Sequence, residues 1–128
     1  MDTQRMRSPL GRAAGLGSAQ AGVRHWWLER VTAVALVPLT LWLAASFIML
    51  TDSGYASFIA WLKSPLVALS MVLLLIAMFW HLALGLQVVI EDYVHSAAKI
   101  PAVVAIRFAC VVLAAAGILA TLRIFFGD

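Results

Sequence analysis

His81 is the one ionisable group deep inside a long apolar run. Polar groups at such depth face a partner, a cavity or a cofactor, because hydrocarbon cannot satisfy them. The run ends at Ile90, so His81 lies about nine residues, ~14 Å, inside it and near the middle of a bilayer. On a helix, Ala77 and Gly85 fall one turn to either side on the same face. Two readings fit that spacing. Small side chains around an imidazole let a flat porphyrin approach and take His81 as an axial iron ligand. Small side chains also let a neighbouring helix pack closely while His81 hydrogen-bonds across the contact. Low-spin b-type haem needs two strong ligands, and His25 and His95 both fall near the surface. In the haem reading the opposite ligand therefore comes from another polypeptide, and the porphyrin lies in the seam between subunits.

Asp92 stands about 20° around the helix from His81, at the end of the same stripe, and Tyr93 follows it. A phenol at the membrane surface can hydrogen-bond a quinone carbonyl while the quinone's tail stays in lipid, and a neighbouring carboxylate can orient it or relay protons. An interfacial tyrosine beside a helix-ending aspartate is the alternative. Arg24, His25 and Arg30 precede the first apolar run. A guanidinium fork matches haem propionates and phospholipid phosphates, and basic residues at that level also set topology. Arg107, a short way into the last run, is placed to snorkel towards the same surface or to pair with Asp92.

The elements that must position these groups are membrane helices. Val31 to Thr51 carries no charged residue, a stretch of about 31 Å as a helix, matching the hydrocarbon core of a bilayer. Ser64 to Ile90 is uncharged apart from His81 and opens with Ser64-Pro65, an N-cap and a proline at the first turn. A third run from Pro101 to about Phe126 is broken only by Arg107 and Arg123. Period-2 alternation is lacking, which favours helices over barrel strands. The first run is too long for a signal-peptide core, lacks a small-residue cleavage site after it and is followed by two more, so it is retained. The expected architecture is an all-α membrane protein with spans at about 29–51, 65–91 and 101–126, forming one anchor domain over 21–128. Arg5, Arg7, Arg12, Arg24, Arg30, Lys99 and Arg107 fall on one side, against Lys63 and Arg123 on the other. That asymmetry predicts a cytoplasmic N-terminus and a C-terminus on the opposite side. Tyr55, Phe58 and Trp61 predict a short helix over 53–62 in the outer interface, with Trp26 and Trp27 matching it on the inner side. Pro38 predicts a kink in the first span. Residues 1–20, rich in Gly, Ser, Ala and Arg, read as a flexible tail.

Composition agrees. Of 128 residues, 64% are apolar and 12% charged, and the mean hydropathy is +1.00. A soluble domain carries roughly 25% charge, so a water-soluble enzyme with its own cleft is excluded. The net charge of +3 comes from residues flanking apolar runs, not from a dense patch suited to nucleic acid. Cys110 is the single cysteine, so there is no disulfide framework and no cysteine metal knuckle.

His81-Leu82-Ala83-Leu84-Gly85, then Gln87-Val88-Val89, then Asp92-Tyr93-Val94-His95 resembles, in order and spacing, the His-x3-Gly-x6-Asp-Tyr signature of the small hydrophobic membrane-anchor subunit of succinate dehydrogenase. Gly22-Val23 followed by Arg30-Val31-Thr32-Ala33 is similar to that family's entry into its first helix, and the likeness covers roughly residues 20–126. The resemblance implies that His81 is an axial ligand of haem b, with the opposite ligand on a second, cytochrome b membrane subunit. It implies that Tyr93 hydrogen-bonds ubiquinone with Asp92 beside it, that Arg30 lies near the haem propionates, and that Arg24 has a less secure share in that role. It implies a non-dehydrogenase subunit of succinate:quinone oxidoreductase in the bacterial inner membrane, ahead of the mitochondrial one. Flavin and iron–sulfur clusters would then sit on the flavoprotein and iron–sulfur partner subunits, since this chain has neither a dinucleotide fingerprint nor cysteine ligands. The alternatives are a haem-free membrane scaffold and the anchor of another quinone-linked dehydrogenase.

Overall fold

The computed structural model describes residue 10 and residues 18–127, so the tail expected at 1–20 lies almost wholly outside the described residues. Among the described residues four helices are delimited, in order: α1 Ser18–Leu50, α2 Tyr55–Leu62, α3 Pro65–Tyr93 and α4 Lys99–Phe126. There is no strand among the described residues. α1, α3 and α4 are each long and apolar enough to cross a membrane. The chain is an all-α membrane protein with three such helices among the described residues.

The helices outrun the apolar windows that announce them. Residues 18–30 include Ala, Gln, Arg, Leu and Glu and no proline, so the backbone ladder of α1 continues beyond the uncharged stretch. Charge limits what enters lipid; it does not limit the helix. With 33 residues, α1 is ~50 Å long, well over a hydrocarbon core of ~30 Å, and its basic end extends past the apolar slab. The assigned helix runs unbroken through Pro38. α3 starts as its sequence indicates, with Ser64 extended before Pro65, although the Ser64 hydroxyl makes no capping bond. α4 begins at Lys99, two residues ahead of Pro101, which is tolerated because a first-turn residue has no intrahelical use for its N–H.

α3 is the central helix, packed on α1 and on α4. Its register against both neighbours is antiparallel. Thr32 of α1 meets His81, while Arg24 and His25 lie level with Gln87. Against α4, Leu75 meets Gly117 and Gln87 meets Arg107. α2 closes one end through an aromatic cluster: Trp61 stacks on Trp42 of α1 with centroids 5.8 Å apart, flanked by Phe47 and Phe58. Tyr55 of the same short helix is 81% exposed, so the three aromatics divide between packing and the interface.

The buried apolar core is small: Leu62, Val67, Ala68, Leu74, Leu84, Ile90 and Cys110. Leu41, Ile48, Phe108 and Leu119 stand among many large exposed side chains, a surface suited to lipid or to other membrane chains rather than water. Among the described glycines, Gly117 is the one pressed against another helix: an added Cβ would lie 3.1 Å from both methyl carbons of Leu75. Gly117→Leu therefore forces α3 and α4 apart, at an expected cost of about 1–3 kcal/mol. A lowered thermal midpoint in detergent checks this. Gly117→Ala is milder, because the tip of Leu75 can shift.

Candidate functional site

His81 occupies the middle of α3 and is partly buried against α1. Its Nδ1 is 3.0 Å from Oγ1 of Thr32. The Thr32 hydroxyl also lies 2.8 Å from the carbonyl oxygen of Leu28 and 3.0 Å from that of Glu29, in its own helix. A crossing bond of this kind is what a helix-packing histidine makes, and it is also what orients a ligand histidine.

Gly85 distinguishes the two surroundings. A Cβ built on it meets nothing within 4 Å, so among the described residues no neighbouring helix needs the glycine's smallness. Ala77, His81 and Gly85 share one half-buried face of α3, and the space immediately beside Gly85 is open.

The Thr32–His81 contact also sets relative depth. Arg30 precedes Thr32 by about 3 Å of helix rise, so the level of Arg30 is close to that of His81, whereas Tyr93 lies ~18 Å further along α3. Arg30 holds its guanidinium 4.5 Å from the ring centroid of Trp26, a cation–π contact that draws the planar fork one turn towards the start of α1. Trp26 in turn packs edge-on to Trp27.

Arg24 faces elsewhere. With His25, Gln87 and Arg107 it lines one end of a cavity of about 710 Å³ that continues past Trp80 and Ala83 to Ile118. Ala83 and Gln87 are each about 160° around α3 from Gly85, so this cavity lies on the opposite side of the helix. The His25 Nε2 atom is buried there without a hydrogen-bond partner. Arg107 donates to Oε1 of Gln87, and Nε2 of Gln87 donates to Oε1 of Glu91 at 2.7 Å. The pairing of Arg107 with Asp92 raised by the sequence is therefore replaced by Gln87, which α3 turns towards α4 while Asp92 stands exposed on the stripe of His81.

Asp92 and Tyr93 form the exposed end of α3, with Tyr93 81% accessible. The structure thus brings His81 and Thr32 together, sets Arg30 near their level, and leaves Asp92, Tyr93 and Arg24 apart from them within this chain. Sequence reasoning quoted Thr32 and Gln87 without assigning either a role. The available signal for Thr32 was a hydroxyl at the entrance of an otherwise apolar helix; what it meets depends on interhelical register, which no local pattern carries.

Three apolar helices, the central one antiparallel to both neighbours and carrying a half-buried imidazole, define an integral membrane protein of the small helical-anchor class. Residues 4–120 match the family model of the succinate dehydrogenase/fumarate reductase transmembrane subunit. The succinate dehydrogenase hydrophobic membrane anchor subunit of Rickettsia bellii is 38% identical over 93 residues, covering 72% of this chain and 74% of that protein. The subunit of the same name from Paracoccus denitrificans is 32% identical over 110 residues, with 85% of each chain covered. The chain belongs to this family, among the membrane-anchor subunits of succinate dehydrogenase.

Proposed function

We propose that this anchor contributes one axial ligand, His81, to a b-type haem shared with a second membrane subunit, and helps form the site where ubiquinone is reduced. The observation that carries the reading is the open space at Gly85, one turn from an imidazole held by Thr32. A glycine against which no described helix packs, one turn from a histidine within a membrane helix, fits a flat group better than a helix contact. Haem b bound there supplies a one-electron store near the quinone.

The other roles belong to residues of this chain. Arg30, near the level of His81, holds a propionate through its fork. Arg24, opening onto the far cavity, is suited to the second partner its guanidinium allows, a lipid phosphate at the surface. Tyr93 donates its phenol proton in a hydrogen bond to a quinone carbonyl, and Asp92 orients that phenol or passes protons towards it. The chain holds no flavin or iron–sulfur cluster in this scheme. Its work is positional, fixing the quinone near a cluster carried by a partner subunit. Arg24 and Arg30 in α1, with Lys99 and Arg107 in the first turns of α4, support putting that end in the bacterial cytoplasm.

An optical spectrum tests the haem reading: the dithionite-reduced, intact complex is expected to show b-type absorption, and its absence overturns the assignment. Gly85→Leu refines the test. Open space at this position lets the helix accept leucine without loss of insertion, and leucine is a better helix former than glycine by up to about 1 kcal/mol. The expected outcome is an assembled complex with a reduced haem-to-flavin ratio, measured by pyridine haemochrome and flavin absorbance.

A further inference from the structure

We infer that Thr32 is a positioning residue for the haem ligand, holding His81 in the tautomer that carries its proton on Nδ1 and leaves the Nε2 lone pair free for iron. This rests on the reading of His81 as an axial ligand.

The argument is a count of protons among three short contacts. Oγ1 of Thr32 lies 2.8 Å from Leu28 O, 3.0 Å from Glu29 O and 3.0 Å from His81 Nδ1. A hydroxyl has one proton to donate and two lone pairs with which to accept. Carbonyl oxygens can only accept. If the hydroxyl proton were aimed at His81, two carbonyl oxygens would face the threonine oxygen at hydrogen-bond distance with no proton between them, in a region where water is scarce and repulsion is poorly screened. The proton therefore goes back along α1 to its own carbonyls, the usual habit of threonine inside a membrane helix. What Thr32 offers across the interface is a lone pair, so His81 must supply the hydrogen from Nδ1. Neutral imidazole then has its free lone pair on Nε2, on the far side of the ring from α1.

Two consequences follow for a bound iron. The bond fixes the plane of the imidazole, because rotating the ring about its Cβ breaks it. It also makes the imidazole more electron-donating, as an acceptor on the second nitrogen does for ligand histidines generally. A more basic ligand favours the ferric over the ferrous state, so the Thr32 bond lowers the haem's reduction potential.

The experiment compares intact complexes carrying Thr32→Val, Thr32→Ala and Thr32→Ser with the parent, by redox titration of the b-type absorption and low-temperature electron paramagnetic resonance of the ferric form. Valine keeps the branched shape and removes the acceptor. Thr32→Val and Thr32→Ala are expected to raise the potential, lowering the ferric-to-ferrous ratio at a fixed ambient potential by about tenfold, the scale of one hydrogen bond. Both are expected to alter the low-spin ferric signal as the ring plane loosens. Thr32→Ser, which retains the hydroxyl, should stay close to the parent in both. Parental potentials and signals in the valine and alanine complexes overturn the inference while leaving His81 as ligand. Should valine prevent assembly, the alanine and serine complexes decide alone. Failure of the ligand reading is distinct: His81→Leu then leaves haem content and spectrum unchanged, whatever Thr32 does.

Discussion

His81→Leu is expected to abolish or grossly alter the b-type spectrum of the complex while the three helices remain inserted. Leucine approximates the volume of the imidazole and suits lipid better than histidine does, and the apolar windows of α1, α3 and α4 do not depend on it. The substitution removes one iron ligand and leaves the Thr32 hydroxyl, still bonded to Leu28 and Glu29, without its partner across the interface. Removal of an outer-shell partner weakens metal binding about 10–100-fold, so deletion of a direct ligand should exceed that range. The measurement is haem per flavin in the purified complex, together with the reduced-minus-oxidised spectrum. Two outcomes separate the readings of this histidine. Loss or a high-spin spectrum with normal subunit content means ligation. An unchanged spectrum and potential means that His81 serves helix packing alone.

Much of this architecture is legible in the sequence because the membrane imposes a simple rule. The apolar windows after Arg30, after Lys63 and from Pro101 each had to become helix, since no other single-segment structure satisfies its own backbone in lipid. Where those windows end, the rule stops informing. α1 continues back to Ser18, through Arg24 and the two tryptophans, because helix propensity persists where hydropathy fails. His81 could be singled out as the lone ionisable group at depth, and Gly85 as its small neighbour. Their surroundings could not be read. That Gly85 faces open space is a statement about the positions of α1 and α4 around α3. Gly117, by contrast, sits in a run of small residues where nothing marks it as the one pressed against Leu75. Thr32 is the sharpest case. Its depth relative to His81 follows from the offset between two helices separated by a turn and the short helix α2, and a one-turn slide of either would have matched the same apolar pattern.

Tyr93→Phe is expected to cut quinone reduction by about tenfold while succinate oxidation with an artificial electron acceptor stays near the parental rate. The side chain is 81% exposed at the last residue of α3, so replacing the phenol leaves no buried partner unsatisfied and should cost the anchor's fold little. What is lost is a single donor to a quinone carbonyl. In a site partly shielded from water such a bond contributes ~1–2 kcal/mol, and each 1.4 kcal/mol corresponds to a factor of about 10. An artificial acceptor takes its electrons before the membrane site and does not need the phenol, which makes the ratio of the two assays the decisive quantity. Equal losses in both indicate misassembly of the complex rather than a damaged quinone pocket. Equal rates in both, at parental level, return Tyr93 to the role of an interfacial aromatic that marks the membrane surface. Asp92→Asn sharpens the assignment: if the carboxylate acts by orienting the phenol or passing it protons, its replacement should lower quinone reduction in the parent and add little on top of Tyr93→Phe, since the group through which it acts is already missing.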